Sequence, residues 1–171
     1  MVGPVDLYVL AGVLATGERS RSLRSLATTM GLDHTMVHRA LRRSEQVRLY
    51  RAGTGRVDRA GFEELVVHAA RFVAPAPLGE LVPGVPAAWA AEPMAERIRT
   101  DGEDPPPVWP DPRGVTRGQA LEPLHRAAVA AAGRTPSLVE LLVLIDSLRA
   151  GDARVRAVAA DALHDVLRRP G

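Results

Sequence analysis

Apolar residues recur at helical spacing in four stretches of the first 73 residues. Polar residues suited to N-capping and glycines suited to helix ends bound these stretches, so each predicts a separate helix. In the fourth helix one side is apolar and expected to be buried, with Phe62, Leu65, Val66, Ala69, Phe72 and Val73. With their capping residues, the predicted helices cover residues 6–17, 22–31, 33–43 and 58–72.

Between the third and fourth predicted helices the pattern changes to the alternation typical of a β-strand. Residues 47–51 alternate apolar and polar side chains, residues 52–55 include two glycines, and residues 56–58 can form a short return strand. This segment therefore predicts a small β-hairpin.

The composition changes after residue 73. Residues 74–123 contain 11 of the 14 prolines, which exclude continuous helix because proline lacks a backbone donor and restricts the residue before it. A disordered linker is one interpretation of this segment. We favour an ordered but irregular layer packed on the neighbouring helices, because the segment is too apolar for a solvated tether.

Helical spacing returns near the C-terminus. Three helices are predicted, over residues 124–132, 137–150 and 153–169, and the last two form an αα-hairpin because only two residues separate them. Three segments are therefore expected: a helical unit with a β-hairpin, a proline-rich packing segment, and a C-terminal helical region. Their predicted bounds are 1–73, 74–123 and 124–171.

The charge is unevenly distributed along the chain. All 22 basic residues are arginine; residues 1–60 carry a net charge of +5 and residues 61–171 a net charge of −3. A basic first third is typical of a nucleic-acid-binding module with a different appended region. The absence of cysteine excludes disulfides and thiolate metal sites. No apolar stretch is long enough to span a membrane and no secretory signal is visible, so we expect a cytoplasmic protein.

The second and third predicted helices have the pattern of a helix-turn-helix. Ala27 is small where the two helices would cross, and Gly31 can adopt the left-handed conformation of the turn. Leu32 would fill the turn, while Val37 and Leu41 would hold the third helix on the second. This arrangement presents an arginine-bearing helix to the major groove of DNA.

Together with the β-hairpin that follows, this motif resembles the winged helix-turn-helix domain of MarR-like bacterial transcriptional repressors, over roughly residues 5–73. The resemblance implies a mainly α fold with a small β-wing that reads DNA through its recognition helix. The C-terminal half is similar only to uncharacterised regulators with a Gly-Val-Pro-x-x-Trp-Ala segment, here residues 84–90, and that similarity implies no activity.

The outward positions of the third helix carry arginine, histidine and threonine, and no carboxylate follows the capping Asp33 until Glu45, which weakens the basic patch. Arginine can bind guanine or phosphate, and arginines on the hairpin suit phosphate or minor-groove contacts. At least one of Arg19, Arg21 and Arg24 is expected to contact phosphate at the start of the second helix. The predicted DNA contacts are Arg24, His34, Thr35, His38, Arg39, Arg42, Arg43, Arg48, Arg51 and Arg56.

Competing chemistry has little support in the sequence. His34 and His38 have the spacing of two metal ligands on one helix face, but no glutamate of an HExxH motif lies between them and no third ligand is close in sequence. Motifs for a serine nucleophile, a phosphate-binding loop or a dinucleotide fold are absent. We therefore expect no metal, no cofactor and no enzymatic activity.

The expected partner is double-stranded DNA. One helix-turn-helix reads only a few base pairs, so a twofold dimer on two half-sites gains affinity. We expect a homodimer with residues 137–169 and the N-terminal helix at its contact. The alternative is that the leucine stripe of the C-terminal hairpin is intramolecular core.

The role of residues 74–123 stays open between three interpretations. Trp89, Met94 and Trp109 could be part of a packing layer, line a pocket for a small-molecule effector, or form a docking surface for a protein partner. The expected function is a sequence-specific DNA-binding transcriptional regulator, with repression favoured. The alternative is a protein-interaction module, such as the antitoxin of a toxin–antitoxin pair.

Overall fold

A computed structural model describes residues 1–17, 22–99 and 102–169. The fold is mixed α/β and mostly helical, with small sheets. A short 3-10 helix at Ala88–Ala90 follows the third strand. The helices and strands are α1 (Pro4–Thr16), α2 (Leu23–Met30), α3 (His34–Gln46), β1 (Tyr50–Arg51), β2 (Arg56–Val57), α4 (Arg59–Val73), β3 (Leu81–Pro86), β4 (Pro107–Pro110), β5 (Thr116–Ala120), α5 (Ala128–Ala132), α6 (Pro136–Ala150) and α7 (Ala153–Arg168).

Four helices begin at a capping residue. Ser22, Asp33, Asp58 and Asp152 each accept a hydrogen bond from a backbone N–H in the first turn of α2, α3, α4 and α7, which satisfies a donor that the helix leaves unpaired. α1 begins two residues earlier than predicted, because proline suits the first helical position.

α1 and α6 form the centre of the hydrophobic core. Residues 6–13 of α1 and residues 141–149 of α6 are all buried, and the two helices pack against each other. α3 packs on α1, whereas α4 and α7 pack on α6. One core therefore includes side chains from all three predicted segments.

The dimer contact predicted on the N-terminal helix and the leucine stripe is wrong for α1 and for α6. Their apolar side chains are buried within a single chain, so the intramolecular interpretation of the stripe is the one observed. α7 buries one side and exposes the other.

The proline-rich segment is ordered, as predicted, but it is not irregular throughout. β3, β4 and β5 form a small closed sheet in which β3 pairs antiparallel with both neighbours and β4 pairs parallel with β5. Two glycines make this closure feasible. A Cβ on Gly84 would lie 2.3 Å from the Trp109 carbonyl oxygen, and one on Gly118 would lie 2.1 Å from that of Pro106.

A buried polar network joins this small sheet to the helical core. The Trp109 indole N–H donates to Asp146 at 2.7 Å, and Asp146 also pairs with Arg149 one turn further along α6. The Arg149 guanidinium in turn donates to the carbonyl oxygens of Ala74 and Glu122. The network therefore fixes both ends of the proline-rich segment on α6.

Two element boundaries and the burial of one residue also differ from prediction. The predicted strand over residues 47–51 shrinks to two residues because residues 47–49 form the turn that ends α3, in which Arg48 has φ +63°. The predicted helix over residues 124–132 is formed only at Ala128–Ala132. Phe72, predicted on the buried side of α4, is 67% exposed and its ring lies under the Arg71 guanidinium.

Candidate nucleic-acid interface

α2 and α3 are joined by a tight turn that directs α3 outward. Gly31 has φ +63°, a conformation that β-carbons disfavour, and the Leu32 N–H donates to the Ala27 carbonyl at 2.9 Å. Ala27, Val37 and Leu41 are buried where the sequence predicted the crossing of the two helices. This turn therefore sets the direction in which α3 leaves α2.

The outer face of α3 is basic. His34, Thr35, His38, Arg39 and Arg42 are all exposed, as predicted for the DNA-facing positions. Within the described residues no carboxylate forms an ion pair with Arg39 or Arg42. These two guanidinium groups are therefore accessible to an external anion.

Thr35 is engaged at the helix N-terminus. Its backbone N–H donates to Asp33 at 2.7 Å, and hydrogen bonds from its backbone and its hydroxyl hold the pKa of the Asp33 carboxyl below its usual value. Thr35 is exposed beside this cap, on the same outer face as the other predicted contacts of α3.

Arg43 is the predicted contact that the structure places elsewhere. Its guanidinium is directed at α1, where Nε and Nη2 donate to the carboxylate of Asp6 at distances of 2.7–3.1 Å. These hydrogen bonds raise the pKa of Arg43 above its usual value. The side chain is half-buried and directed at α1, with Nε and Nη2 held by Asp6, so Arg43 does not extend outward as its predicted contact with DNA requires.

The short hairpin after α3 carries the remaining arginines. Arg51 and Arg56 lie directly opposite each other in the β1–β2 register, and both are exposed. Arg48 is exposed with φ +63°, in the turn that ends α3. Glu45 accepts a hydrogen bond from the Ala52 N–H at 3.4 Å, so it faces the hairpin.

Arg24 is exposed on the first turn of α2, beside the N-terminus where a phosphate is favoured. The other two arginines predicted for this position, Arg19 and Arg21, lie outside the described residues. The basic surface therefore combines Arg24, the outer face of α3, and the hairpin.

The structure brings no metal site or aromatic effector pocket together from the predicted residues. Among the described residues no group of three or more histidine, cysteine or acidic side chains is placed to hold a metal ion. Met94 and Trp109 are buried in the core and Trp89 is half-buried against it, which supports the packing-layer interpretation of residues 74–123.

A groove of about 370 Å³ lies elsewhere, between the end of α1 and the helices α6 and α7. Its lining combines apolar Leu14, Leu141 and Leu167 with the charged Arg59 and Glu140. The Arg59 guanidinium donates to the Leu167 carbonyl at 2.7 Å, which connects the start of α4 to the end of α7. The sequence contained no signal for this groove, because α1 lies more than 100 residues before α6 and α7 in the chain.

The contact between Asp6 and Arg43 was also missed. Asp6 has the pattern of an acidic residue in the first turn of a helix, and that pattern explains it without any distant partner. The only available hint was a charged residue among the apolar residues of α1.

Known proteins provide no family for this chain: no family model, curated protein or solved structure matches it. The described helices are too short or too polar to cross a membrane.

Proposed function

We propose that the protein is a sequence-specific DNA-binding transcriptional regulator in which α1–α4 and the β1–β2 hairpin act as a winged helix-turn-helix. The observation that carries this proposal is the outer face of α3, where Arg39 and Arg42 are exposed and no carboxylate of the described residues pairs with them. A helix held in this way has the width to enter the major groove.

The rest of the basic surface supports the same function. Arg24 at the start of α2 and Arg48, Arg51 and Arg56 on the hairpin would contact phosphates on either side of the groove. Such contacts fix the position of the protein on DNA without reading the sequence. The residues proposed to contact base edges are therefore His38, Arg39 and Arg42.

Repression by a homodimer is the form of regulation that we propose. A twofold dimer on two half-sites one helical turn apart would supply the affinity that one reading helix lacks. The contact would use surfaces other than α1 and α6, since both are buried within the chain. The exposed side of α7 is one such surface.

The test is a double substitution, Arg39→Ala/Arg42→Ala. The best duplex is first selected from genomic fragments, and affinity is then measured over a range of salt concentrations. Each bidentate contact is worth about 1–3 kcal/mol, so the variant is expected to lose at least about fivefold in affinity per arginine. Thermal stability should stay unchanged, because both side chains are exposed.

A matched control removes two exposed arginines of the segment after the 3-10 helix, Arg97→Ala/Arg99→Ala. The change in net charge is the same, but these residues belong neither to the proposed basic surface nor to the exposed side of α7. The control should bind the selected duplex like the wild type. Equal losses in the two variants, or none in either, would contradict the proposed interface.

Binding to a protein, as an antitoxin does, is the second candidate function. It is favoured by Leu81, Val85 and Val115, which are exposed apolar side chains on or beside the neighbouring strands β3 and β5. In that case complex formation would be insensitive to the substitutions in α3. It would also lack the linear dependence of log affinity on log salt that phosphate neutralisation produces.

A further inference from the structure

We propose that Arg43 and Asp6 are positioning residues, whose forked ion pair sets the rotation of α3 about its own axis and thereby aims Arg39 and Arg42. This inference rests on the proposed function and names a determinant of its specificity. It assigns Arg43 to the orientation of the reading helix and not to contact with DNA.

The first argument is the weakness of the apolar anchor under α3. Its buried residues are only Val37, Ala40, Leu41 and Ser44, and two of these four side chains are small. A narrow, shallow contact resists sliding and rotation less than a broad one, because fewer interlocking side chains oppose the movement. α3 therefore needs a further restraint to hold one orientation.

The second argument is the geometry of the ion pair. Arg43 lies one turn beyond Arg39, on the flank of the exposed face, since residues four apart in a helix are neighbours. Its Nε donates to both carboxylate oxygens of Asp6 at 3.0 and 3.1 Å, and its Nη2 donates to one of them at 2.7 Å. A planar fork held at several points restrains orientation as well as distance.

The third argument is that the acceptor is itself immobile. Asp6 is 2% exposed, lies on the central helix α1, and also accepts the Gly3 N–H at 2.8 Å. Any rotation of α3 that withdraws the Arg43 fork would leave a buried carboxylate without its counter-ion. Such a group is costly, so the pair opposes the rotation.

The substitution Arg43→Lys tests whether Arg43 acts by orienting α3 or only by its positive charge. Lysine keeps the positive charge, so it still neutralises Asp6 or a phosphate, but it lacks the fork. We expect the ratio of affinities for the selected duplex and for a scrambled duplex to fall about tenfold, the discrimination of one misaligned bidentate contact. Affinity for the scrambled duplex and its salt dependence should stay unchanged.

A second variant, Asp6→Asn, should change the salt dependence of DNA binding in a known direction. It releases the guanidinium of Arg43, which then becomes available to phosphate. Discrimination should again fall, while the slope of log affinity against log salt becomes steeper by about one. Amide hydrogen exchange measured without DNA provides an independent readout: α3 should exchange faster in Arg43→Lys while the centre of α6 stays protected.

The outcomes distinguish this inference from the proposed function. If Arg43→Lys leaves the discrimination and the exchange of α3 unchanged, or lowers both affinities equally, the positioning role is overturned and DNA binding stands. If the wild type shows no salt-dependent DNA binding, the proposed function falls, and this inference falls with it. Loss of discrimination at constant affinity for the scrambled duplex supports both.

Discussion

α3 and α6 are helices of similar length with opposite surroundings. α6 is buried on every side over residues 141–149, including an aspartate and an arginine that pair with each other. α3 buries four residues, half-buries Arg43 and Glu45, and exposes the others. The comparison shows that this fold concentrates its stability in one helix and leaves another with side chains available to a partner.

The two helices also use ion pairs differently. In α6 the pair of Asp146 and Arg149 lies inside the core, where burial raises the pKa of Asp146 while Arg149 and the Trp109 N–H oppose that rise. In α3 the pair of Arg43 with Asp6 lies at the rim of the core, with the arginine half-buried. We infer that the first pair holds the fold together and the second orients a surface.

The largest expected effect comes from breaking the buried pair with Asp146→Ala. This leaves the Arg149 charge and the Trp109 N–H without their partner in the core, so the free energy of unfolding should fall by about 3–5 kcal/mol. Urea denaturation measures the loss. DNA affinity per folded molecule should not change, because α6 does not belong to the basic surface.

The control for this prediction replaces both charges, Asp146→Leu/Arg149→Met. Apolar replacement of a complete buried pair is often close to neutral, so most of the stability should return, although the Trp109 N–H stays unsatisfied. A single variant that loses less than about 1 kcal/mol would show that the pair contributes no more than a surface contact does.

A matched substitution in the two helices sharpens the comparison. Leu144 lies in the middle of α6 with no exposed surface, whereas Leu41 of α3 is 5% exposed at the edge of the core. Leucine-to-alanine changes in cores cost about 2–5 kcal/mol, and we expect Leu144→Ala near the upper end and Leu41→Ala near the lower end. Denaturant midpoints at equal slope give both values.

The same two variants should differ in their affinity for the selected duplex. Leu41→Ala loosens the anchor of α3 and should weaken binding to the selected duplex even under conditions where the variant is fully folded. Leu144→Ala should bind like the wild type under those conditions. Equal affinities in the two variants would mean that α3 keeps its orientation without Leu41.

The helices could be predicted from the sequence because their signals are local. Ser22, Asp33, Asp58 and Asp152 each satisfy donors within their own first turn, and Gly31 serves the turn in which it lies. The exposed face of α3 follows from the same periodicity. These features depend on residues a few positions apart, so they can be predicted from the local sequence.

The small closed sheet could not be predicted because its prolines interrupt the alternation of apolar and polar residues that is typical of strands. Prolines cannot donate to a ladder, but the carbonyls of Pro83, Pro106 and Pro107 accept hydrogen bonds from other parts of the segment. The pairing partners also lie far apart, as in Leu81 opposite Gln119. Local composition therefore indicated an irregular layer where strands form.

The ion pair of Asp6 and Arg43 shows the same limit within the candidate interface. The two residues are 37 positions apart, and each has a sufficient local explanation, one as a first-turn acid and the other as part of a basic face. Only the packing of α3 on α1 brings them together. A basic residue on the flank of an exposed helix face can therefore serve an intramolecular ion pair, and the sequence pattern alone does not distinguish that role from a contact with DNA.

The smallest expected effect lies where helices α1 and α2 meet the C-terminal region. The His125 ring stacks on Tyr8 with centroids 5.9 Å apart, and its Nδ1 accepts the Ala127 N–H at 3.1 Å. A Cβ built on Gly31 would lie 3.3 Å from the Ala127 Cβ, so this segment is also close to the turn between α2 and α3. Burial and the neighbouring Arg126 lower the pKa of His125 below its usual value.

A lowered histidine pKa means that the unfolded chain binds the proton more tightly than the folded chain. Stability should therefore be greatest where both states are neutral and fall as the pH drops from about 6.5 toward the lower folded pKa. His125→Asn keeps an acceptor for the Ala127 N–H but cannot titrate, so the stability it loses between about pH 7.5 and about pH 5.5 should be smaller than in the wild type. Urea denaturation of both proteins at the two pH values measures this difference, and equal losses would show that the proton affinity of His125 does not change on folding.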